Sequence, residues 1–438
     1  MKLLKTILSW IYGAVIALRH RLYDWGIMRS YQFDIPVVCI GNITVGGTGK
    51  TPMAEMLIRE LMDSYNIAML SRGYGRTTKG YIEVTTQHNY LKVGDEPLQV
   101  KLKYPNVVVV VGEDRVAAIN RIREEHPEVN LIIMDDGFQH RRVRAKVNIV
   151  ILDATRPVKN DRLLPLGRLR DLKRRLKAAH IFMVSKCSES MSPLDRRLWR
   201  NELRTIAYQT VYFSHIVPMN IEPLFYFDDR EDIDYGNQAI ILAGVGNPRP
   251  FVSEAAVRFN IVDKMIMPDH HRYTRDDMAH LMEKLRKYPR AIVLMTEKDA
   301  VKLFRSGKHL PEALRRAMYY QPIETQLMDG PDKDFVGNLK KEIEFKDFAS
   351  RKKQSKKKVN LDDDDKDVYG SIAVGEYTDH EILNDIKASD TRVMYSASNA
   401  LDIRADKEMA IKTESVLKTS DNALLKSLET AFNTETSD

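Results

Sequence analysis

The chain has 438 residues, 43% of them hydrophobic, which is enough to bury more than one core and to form two or three domains. Its two cysteines, Cys39 and Cys187, lie far apart and match no metal-ligand or CxxC spacing; this argues against a disulfide framework or a zinc site and fits a reducing compartment. A formal charge of +7 favours acidic partners, whether nucleotide phosphates, anionic lipid or nucleic acid, and the basic clusters at Arg141 to Arg144, Arg168 to Arg175 and Arg351 to Lys358 read first as solvated surface.

The first element is an uncharged stretch from Thr6 to Leu18, bounded by Lys2 and Lys5 on one side and Arg19 and Arg21 on the other. It is shorter than the roughly 20 residues a spanning helix needs. Drawn as a helix, it puts Leu4, Ile7, Leu8, Ile11, Val15, Leu18 and Leu22 in one apolar stripe flanked by Trp10 and Tyr12. Two readings stand side by side, a helix lying in a membrane interface and a first helix facing a soluble core. Cleavage as a secretory signal is disfavoured, because Arg19-His20-Arg21 follows with no small-x-small site.

Next, the β-prone run Ile35 to Ile40 leads into Gly41-Asn42-Ile43-Thr44-Val45-Gly46-Gly47-Thr48-Gly49-Lys50-Thr51-Pro52, and a helical pattern resumes from Met53 to Met62. Further buried strands are expected at Ile67 to Leu70, Val107 to Val111, Leu131 to Met134 and Val147 to Leu152, with a helix at Arg115 to Glu125. Strands alternating with helices imply an α/β fold, a doubly wound and mostly parallel sheet covered on both faces. A second, smaller α/β set follows the loop Phe227 to Asn237: strand Ala239 to Leu242, helix Pro250 to Arg258, strand Ile261 to Ile266, helix Arg275 to Lys287 and strand Ala291 to Met295. The expected boundaries are therefore 1–28 for the N-terminal helix, 29–236 for the first domain, 237–346 for the second and 347–438 for a tail. Lysine and aspartate runs with few aromatics make that tail read as largely disordered.

Two segments carry the chemistry. Gly49-Lys50-Thr51, after a strand and before a helix, is the working end of a P-loop: backbone amides from Thr44 through Val45, Gly46, Gly47, Thr48 and Gly49 cradle phosphates, Lys50 neutralises the β/γ oxygens and the Thr51 hydroxyl ligates Mg2+. The common pattern has glycine where this chain has Thr44, with Gly46 and Gly47 supplying the flexibility instead. The apolar strand Leu131 to Met134 ends in Asp135-Asp136-Gly137-Phe138-Gln139-His140, as a strand must to bring a carboxylate to the metal. If the strand continued, Asp135 and Asp136 would point to opposite sides, leaving one direct ligand. Gly94-Asp95-Glu96-Pro97 puts two carboxylates on a turn, and Asp269-His270-His271 follows a strand and a proline. An Asp supported by a His is a workable base for phosphoryl transfer to an alcohol, although nothing in the spacing brings the two segments together.

Taken in order, these segments resemble the lipid A 4'-kinases (tetraacyldisaccharide 4'-kinases). So do Leu70-Ser71-Arg72-Gly73-Tyr74-Gly75-Arg76, Leu163-Leu164-Pro165, Gly167-Arg168-Leu169-Arg170-Asp171, Ala243-Gly244-Val245-Gly246-Asn247-Pro248 and Thr296-Glu297-Lys298-Asp299-Ala300. The resemblance spans Met1 to about Lys346, and Thr44 is ordinary within it. It implies a P-loop NTPase-like fold with an N-terminal interfacial helix. The implied reaction is phosphorylation of the 4'-hydroxyl of lipid A disaccharide 1-phosphate from ATP and Mg2+, at the cytoplasmic face of the inner membrane. It further implies that Lys50 and Thr51 hold ATP and Mg2+, that Asp136 and Asp135 serve the metal, and that Asp95 with His270 activates the hydroxyl. Arg72, Tyr74, Arg170 and Asp171 would lie near substrate or nucleotide, with Asp171 standing where the family often has Glu. His270 is preferred over His271 from motif register. The alternative is a P-loop GTPase or metallochaperone-like switch, but Val184-Ser185-Lys186-Cys187-Ser188 lacks the Asn and Asp of a guanine-reading segment. No nucleic-acid recognition motif is visible, and none is expected as a partner.

Overall fold

The computed structural model describes residues 2–227, 237–328, 330 and 334–345, and beyond these only four two-residue strands paired antiparallel in two couples. The expected tail, 347–438, otherwise lies outside the described residues.

The first lobe is laid down as α1 (Lys2–Asp24), β1 (Val37–Gly41), α2 (Lys50–Leu61), β2 (Ile67–Ser71), β3 (Ile82–Glu83), α3 (Tyr90–Val93), α4 (Asp95–Lys103), β4 (Val108–Val111), α5 (Arg115–Glu125), β5 (Leu131–Met134), β6 (Val147–Asp153), β7 (Ile181–Ser185), α6 (Pro193–Leu203) and β8 (Thr210–Pro218). The second follows as β9 (Glu222–Pro223), β10 (Gln238–Ala243), α7 (Arg249–Arg258), β11 (Asn260–Ile266), α8 (Arg275–Lys287), β12 (Ala291–Thr296), α9 (Glu297–Ser306), α10 (Glu312–Ala317) and β13 (Met318–Gln321). The chain then returns through β14 (Ile323–Leu327) and α11 (Phe335–Glu344).

In the first sheet the strand order is β14-β8-β7-β6-β1-β5-β2-β4-β3. From β8 to β4 every pairing is parallel, and only the edges β14 and β3 run antiparallel. Strands buried on both faces must be apolar throughout, as Val37-Val38-Cys39-Ile40 and Leu131-Ile132-Ile133-Met134 are. The period of two sends Val38 and Ile40 into the core beneath α2, while Val37 and Cys39 face the core beneath α5. Because β1 lies between β6 and β5, its carboxyl end sits where strand order reverses, the place where open α/β sheets leave a crevice for a ligand.

The second sheet has the order β11-β10-β12-β13-β9, with Ile240 and Leu242 on one face and Ala239 and Ile241 on the other. Its helix α8 starts in a capping box, Thr274 with Asp277, each satisfying an amide the other leaves open.

Two boundaries differ from the sequence expectation. The second sheet begins before residue 237, since β9 pairs with β13, and the first lobe reclaims β14 and α11 from within 237–346. Phe335, Leu339 and Ile343 of α11 are buried in the core of the first sheet; burial of each stabilises that lobe by about 1.5–3 kcal/mol. A strand such as Ile323-Glu324-Thr325-Gln326-Leu327 carries no local mark of the sheet it joins. Strands β7 and β8 add to those expected from the sequence, and Asp95 and Glu96, expected on a turn, open α4 instead.

Helix α1 settles one ambiguity. Its stripe does not face a core: Leu4 is 61%, Ile11 54%, Val15 61% and Leu18 55% exposed, and Leu3, Trp10 and Trp25 are exposed with them. The opposite side docks through polar groups: Ser9 Oγ donates to Leu163 O (2.9 Å), Tyr12 Oη to Arg170 O (3.1 Å), and buried His20 Nε2 meets Asp171 Oδ1 at 2.7 Å. Among the described residues no helix is long and apolar enough to cross a membrane.

Candidate active site

The phosphate loop runs from the end of β1 to the start of α2. Gly49 caps the helix in a left-handed conformation (φ 91°), which favours glycine, and Lys50 is the first helical residue. Gly41 is required for a different reason, since a Cβ there would lie 2.4 Å from Phe138 Cβ in the turn after β5. Neighbouring strand ends brace the loop. Buried Asn42 donates from Nδ2 to Thr48 Oγ1 (2.7 Å) and accepts at its carbonyl from Gln139 Nε2 (2.6 Å), and Ser185 Oγ donates to Thr48 O (2.7 Å). The Lys186 ammonium donates to the Gly47 carbonyl and pairs with Asp153 Oδ2 at 2.7 Å. Thr44 forms an isolated antiparallel bridge with Leu169, while Val45 N donates to Arg168 O (2.8 Å), so the stretch that lacks the usual glycine is held as a strand edge. A cleft of about 510 Å3 shares Lys186 with this region and is lined by Ala154, Thr155, Ser188 and Trp199.

At the end of β5 the two aspartates diverge in environment. Asp136 takes a left-handed φ of 48°, so the strand stops before it, and Arg170 grips both its oxygens, one of them at 3.0 Å from Nη1. Lys50 Nζ stands 3.6 Å from Asp136 Oδ1. Burial opposes the charge on Asp136, but Arg170 and Lys50 outweigh it and hold the carboxyl at about 2. Asp135 is 1% exposed and its Oδ1 has no hydrogen-bond partner in the protein. Burial, with Glu96 and Asp136 nearby, pushes its carboxyl up to about 7. A buried carboxylate oxygen without a donor beside a phosphate loop fits a hard divalent cation, and the hydroxyl of Thr51 is oxygen chemistry of the same kind.

The second lobe completes the site. Asp95, in the first turn of α4, is 5% exposed; its Oδ1 accepts from Glu96 N (3.0 Å) and its Oδ2 meets His270 Nδ1 at 3.0 Å. Burial works against the Asp95 charge, yet His270 and Lys298 hold the carboxyl below its ordinary value. An ionised carboxylate only accepts, so Nδ1 of His270 carries the proton of this bond. His270 occupies a left-handed backbone well (φ 57°), as does Asp136; such conformations cost about 1–3 kcal/mol in non-glycine residues and concentrate at functional sites. The Tyr74 ring lies 5.1 Å from that of His270. His271, by contrast, turns back to Asp277 (2.9 Å) within its own lobe, which sets it apart from the pair.

The structure thus brings Asp95, His270 and Tyr74 together on one side and Lys50, Asp136 and Arg170 on the other, with Arg72 exposed beyond β2. Asp171, expected near substrate or nucleotide, is 1% exposed: its Oδ1 meets His20 Nε2 and accepts from Leu172 N, both at 2.7 Å, which anchors α1, while its Oδ2 is buried without a hydrogen-bond partner. Asn42, Lys186, Glu96 and Lys298 join the site beyond the residues expected from the sequence. Glu96 and Lys298 sit inside motifs that the sequence marks, whereas His20 and Asp171 are too far apart in sequence for any local signal.

Comparison with known proteins identifies the family. A family model described as LpxK: Tetraacyldisaccharide-1-P 4'-kinase matches residues 1–344. Among curated relatives, a tetraacyldisaccharide 4'-kinase of Porphyromonas gingivalis is 40% identical over 348 residues, covering 77% of this chain and 96% of that one. Another from Bacteroides fragilis is 38% identical over 337 residues, covering 75% and 89%. Among solved structures, an LpxK from Aquifex aeolicus in complex with ATP has a TM-score of 0.60 at 24% identity, covering 77% of this chain and 98% of that one, a likeness of fold. With its α/β P-loop architecture and its match across both lobes, the chain belongs to the tetraacyldisaccharide-1-P 4'-kinase family.

Proposed function

We propose that this chain transfers the γ-phosphoryl group of ATP to the 4'-hydroxyl of a tetraacylated glucosamine disaccharide 1-phosphate, at the cytoplasmic face of a bacterial inner membrane. The observation that carries the reading is the Asp95–His270 pair, 3.0 Å apart and contributed by different lobes, in a fold whose P-loop ends in Lys50. Membership of the family supplies the acceptor.

The loop from Thr44 to Thr51 holds the phosphates through backbone amides and the positive end of α2, and Lys50 places charge on the β/γ oxygens. Thr51, Asp135 and Asp136 would hold Mg2+, which when bound neutralises charge developing on the transferred group. Arg170, clamped to Asp136 and Asn42, keeps that carboxylate in place. The Asp95–His270 pair takes the proton of the sugar hydroxyl as it attacks. Tyr74 and Arg72 lie on the acceptor side. Closing the lobes over these groups keeps water from competing for the phosphoryl group. The cleft beside Lys186 offers a seat for the nucleotide base.

The exposed stripe of α1 supports the membrane placement. Acyl chains must remain in the bilayer while the sugar reaches ATP in water, so an oily docking face beside a phosphate site is what the reaction demands. The test is transfer of labelled γ-phosphate from Mg-ATP to the purified disaccharide 1-phosphate in mixed micelles. Wild type should form the bisphosphorylated lipid. Lys50→Ala should fail, and Asp95→Ala should lose turnover by roughly 10²–10⁴ while still binding ATP. A folded, ATP-binding wild type that transfers nothing to this lipid would sink the proposed acceptor.

A further inference from the structure

The segment Thr296-Glu297-Lys298-Asp299-Ala300 is a motif that the mechanism above leaves without a task, and the structure divides it. Asp299 is fully buried; it accepts from Gly244 N (2.9 Å) and Thr296 Oγ1 (2.6 Å) and pairs with Lys302 (3.0 Å), so it ties the start of α9 to the loop after β10. Thr296 caps the helix by accepting from Asp299 N (3.2 Å). These are framework roles. Lys298 instead leaves its own lobe: its Nζ lies 3.0 Å from Glu96 Oε1 and 3.8 Å from Asp95 Oδ2, the same oxygen that meets His270.

We propose that Lys298 is a positioning residue for phosphoryl transfer, pinning Asp95 and Glu96 of the first lobe from the second so that the Asp95–His270 pair is assembled across the cleft. The proposal rests on the reading of that pair as the proton acceptor. The physical argument is one of charge and reach. Two adjacent carboxylates open α4, and without a cation between them each would raise the proton affinity of the other. Lys298 supplies that cation, and its side chain is only 21% exposed, so solvent screens it less than it would a surface pair. The other groups acting on Asp95 are His270 from the loop after β11, Lys302 on α9 and Tyr90 of α3, while Asp269 acts on His270 and Lys298, and Asp135 and Glu96 act on each other. Lys298 reaches both carboxylates of α4. The hydrogen bond from Glu96 N, made within the first lobe, does not replace a tie between lobes.

Removing the Lys298 charge therefore acts twice on Asp95, by deleting a nearby cation and by leaving Glu96 beside it unbalanced. Both effects raise the affinity of Asp95 for a proton, so the acid limb of the kcat–pH profile should move to higher pH. The experiment measures γ-phosphate transfer to the disaccharide 1-phosphate from about pH 5.5 to about pH 9 with the full chain, with ATP binding followed separately. Lys298→Met should lower kcat by about ten- to a hundredfold, a part of what a positioned base supplies, and move the acid limb up by roughly half to one unit. ATP affinity should stay within about threefold, because the phosphate loop is untouched; Lys298→Arg, which keeps the cation, should restore most of kcat and the wild-type limb. Should Lys298→Met fail to fold, Lys298→Gln carries the same expectation. An acid limb that stays in place in the neutral variant, or an Arg variant as defective as the neutral one, would overturn the proposal. Asp95→Asn separates the two claims, since full turnover in that variant would remove the base reading itself, whatever Lys298 does.

Discussion

Replacing Ile11 and Val15 of α1 by serine tests whether the exposed stripe is a membrane-docking face, and the structure sets the size of the effect. The two side chains are 54% and 61% exposed, so about half of each remains to be buried by a bilayer. Full burial of such a side chain is worth about 1.5–3 kcal/mol, and half of that for each of two residues comes to about 1.5–3 kcal/mol in total. At about 1.4 kcal/mol per decade, partitioning should fall roughly 10- to 150-fold. The assay is co-sedimentation with vesicles of phosphatidylethanolamine and phosphatidylglycerol at two salt concentrations. Exposed basic residues at Lys5 and Arg21 should add a salt-dependent component common to both proteins. Because the substituted side chains are exposed on the lobe, the melting temperature should hardly change, as expected of surface positions. Unaltered partitioning of a folded double variant would refute the reasoning, and a large loss of stability would show that the stripe is covered by protein.

Glu297 gives a prediction with a definite sign. Burial, with Glu55 nearby, outweighs Lys103 and raises its carboxyl to about 7, and its Oε2 is buried without a hydrogen-bond partner. In the unfolded chain the value is about 4.3, so the stability its proton contributes is complete below that pH and is lost as pH rises to about 7. Glu297→Gln, which cannot ionise, should therefore melt above wild type at about pH 8 and alongside it near pH 4.5; an equal difference at both would contradict the assignment. His20→Ala should destabilise the chain by about 1–3 kcal/mol by removing the buried bond that ties α1 to Asp171, whose Oδ1 keeps only Leu172 N, and protease cleavage within α1 should quicken. Exposed Arg29→Ala, a matched control on the same terminal segment, should leave both readings unchanged.

Much of the site is legible in the amino-acid sequence, for physical reasons that differ from residue to residue. The phosphate loop is local: a buried strand, a glycine able to take φ 91° and a helix beginning at Lys50 are consecutive in the chain. Asp135 and Asp136 likewise follow their strand directly, but nothing local marks the contrast between them. Only tertiary packing surrounds Asp136 with Lys50 and Arg170 while leaving an oxygen of Asp135 buried and unpartnered. Local periodicity also places α5 and α8 at Arg115–Glu125 and Arg275–Lys287, because a helix signals itself through side chains three and four residues apart.

What the amino-acid sequence determined by itself was the set of elements whose cause is near in the chain: the apolar strands, the capped helices, the phosphate loop and the amphipathic first helix. Tertiary structure alone decided which of those elements meet. It brought His270 to Asp95 across 175 positions, turned His20 into a partner for Asp171 across 151, and returned β14 to the first sheet after the chain had built the second. It also decided the direction of the α1 stripe. The same spacing of apolar residues serves a core or a bilayer, and here the polar side of the helix is the one satisfied by hydrogen bonds to the lobe, leaving the apolar side outward.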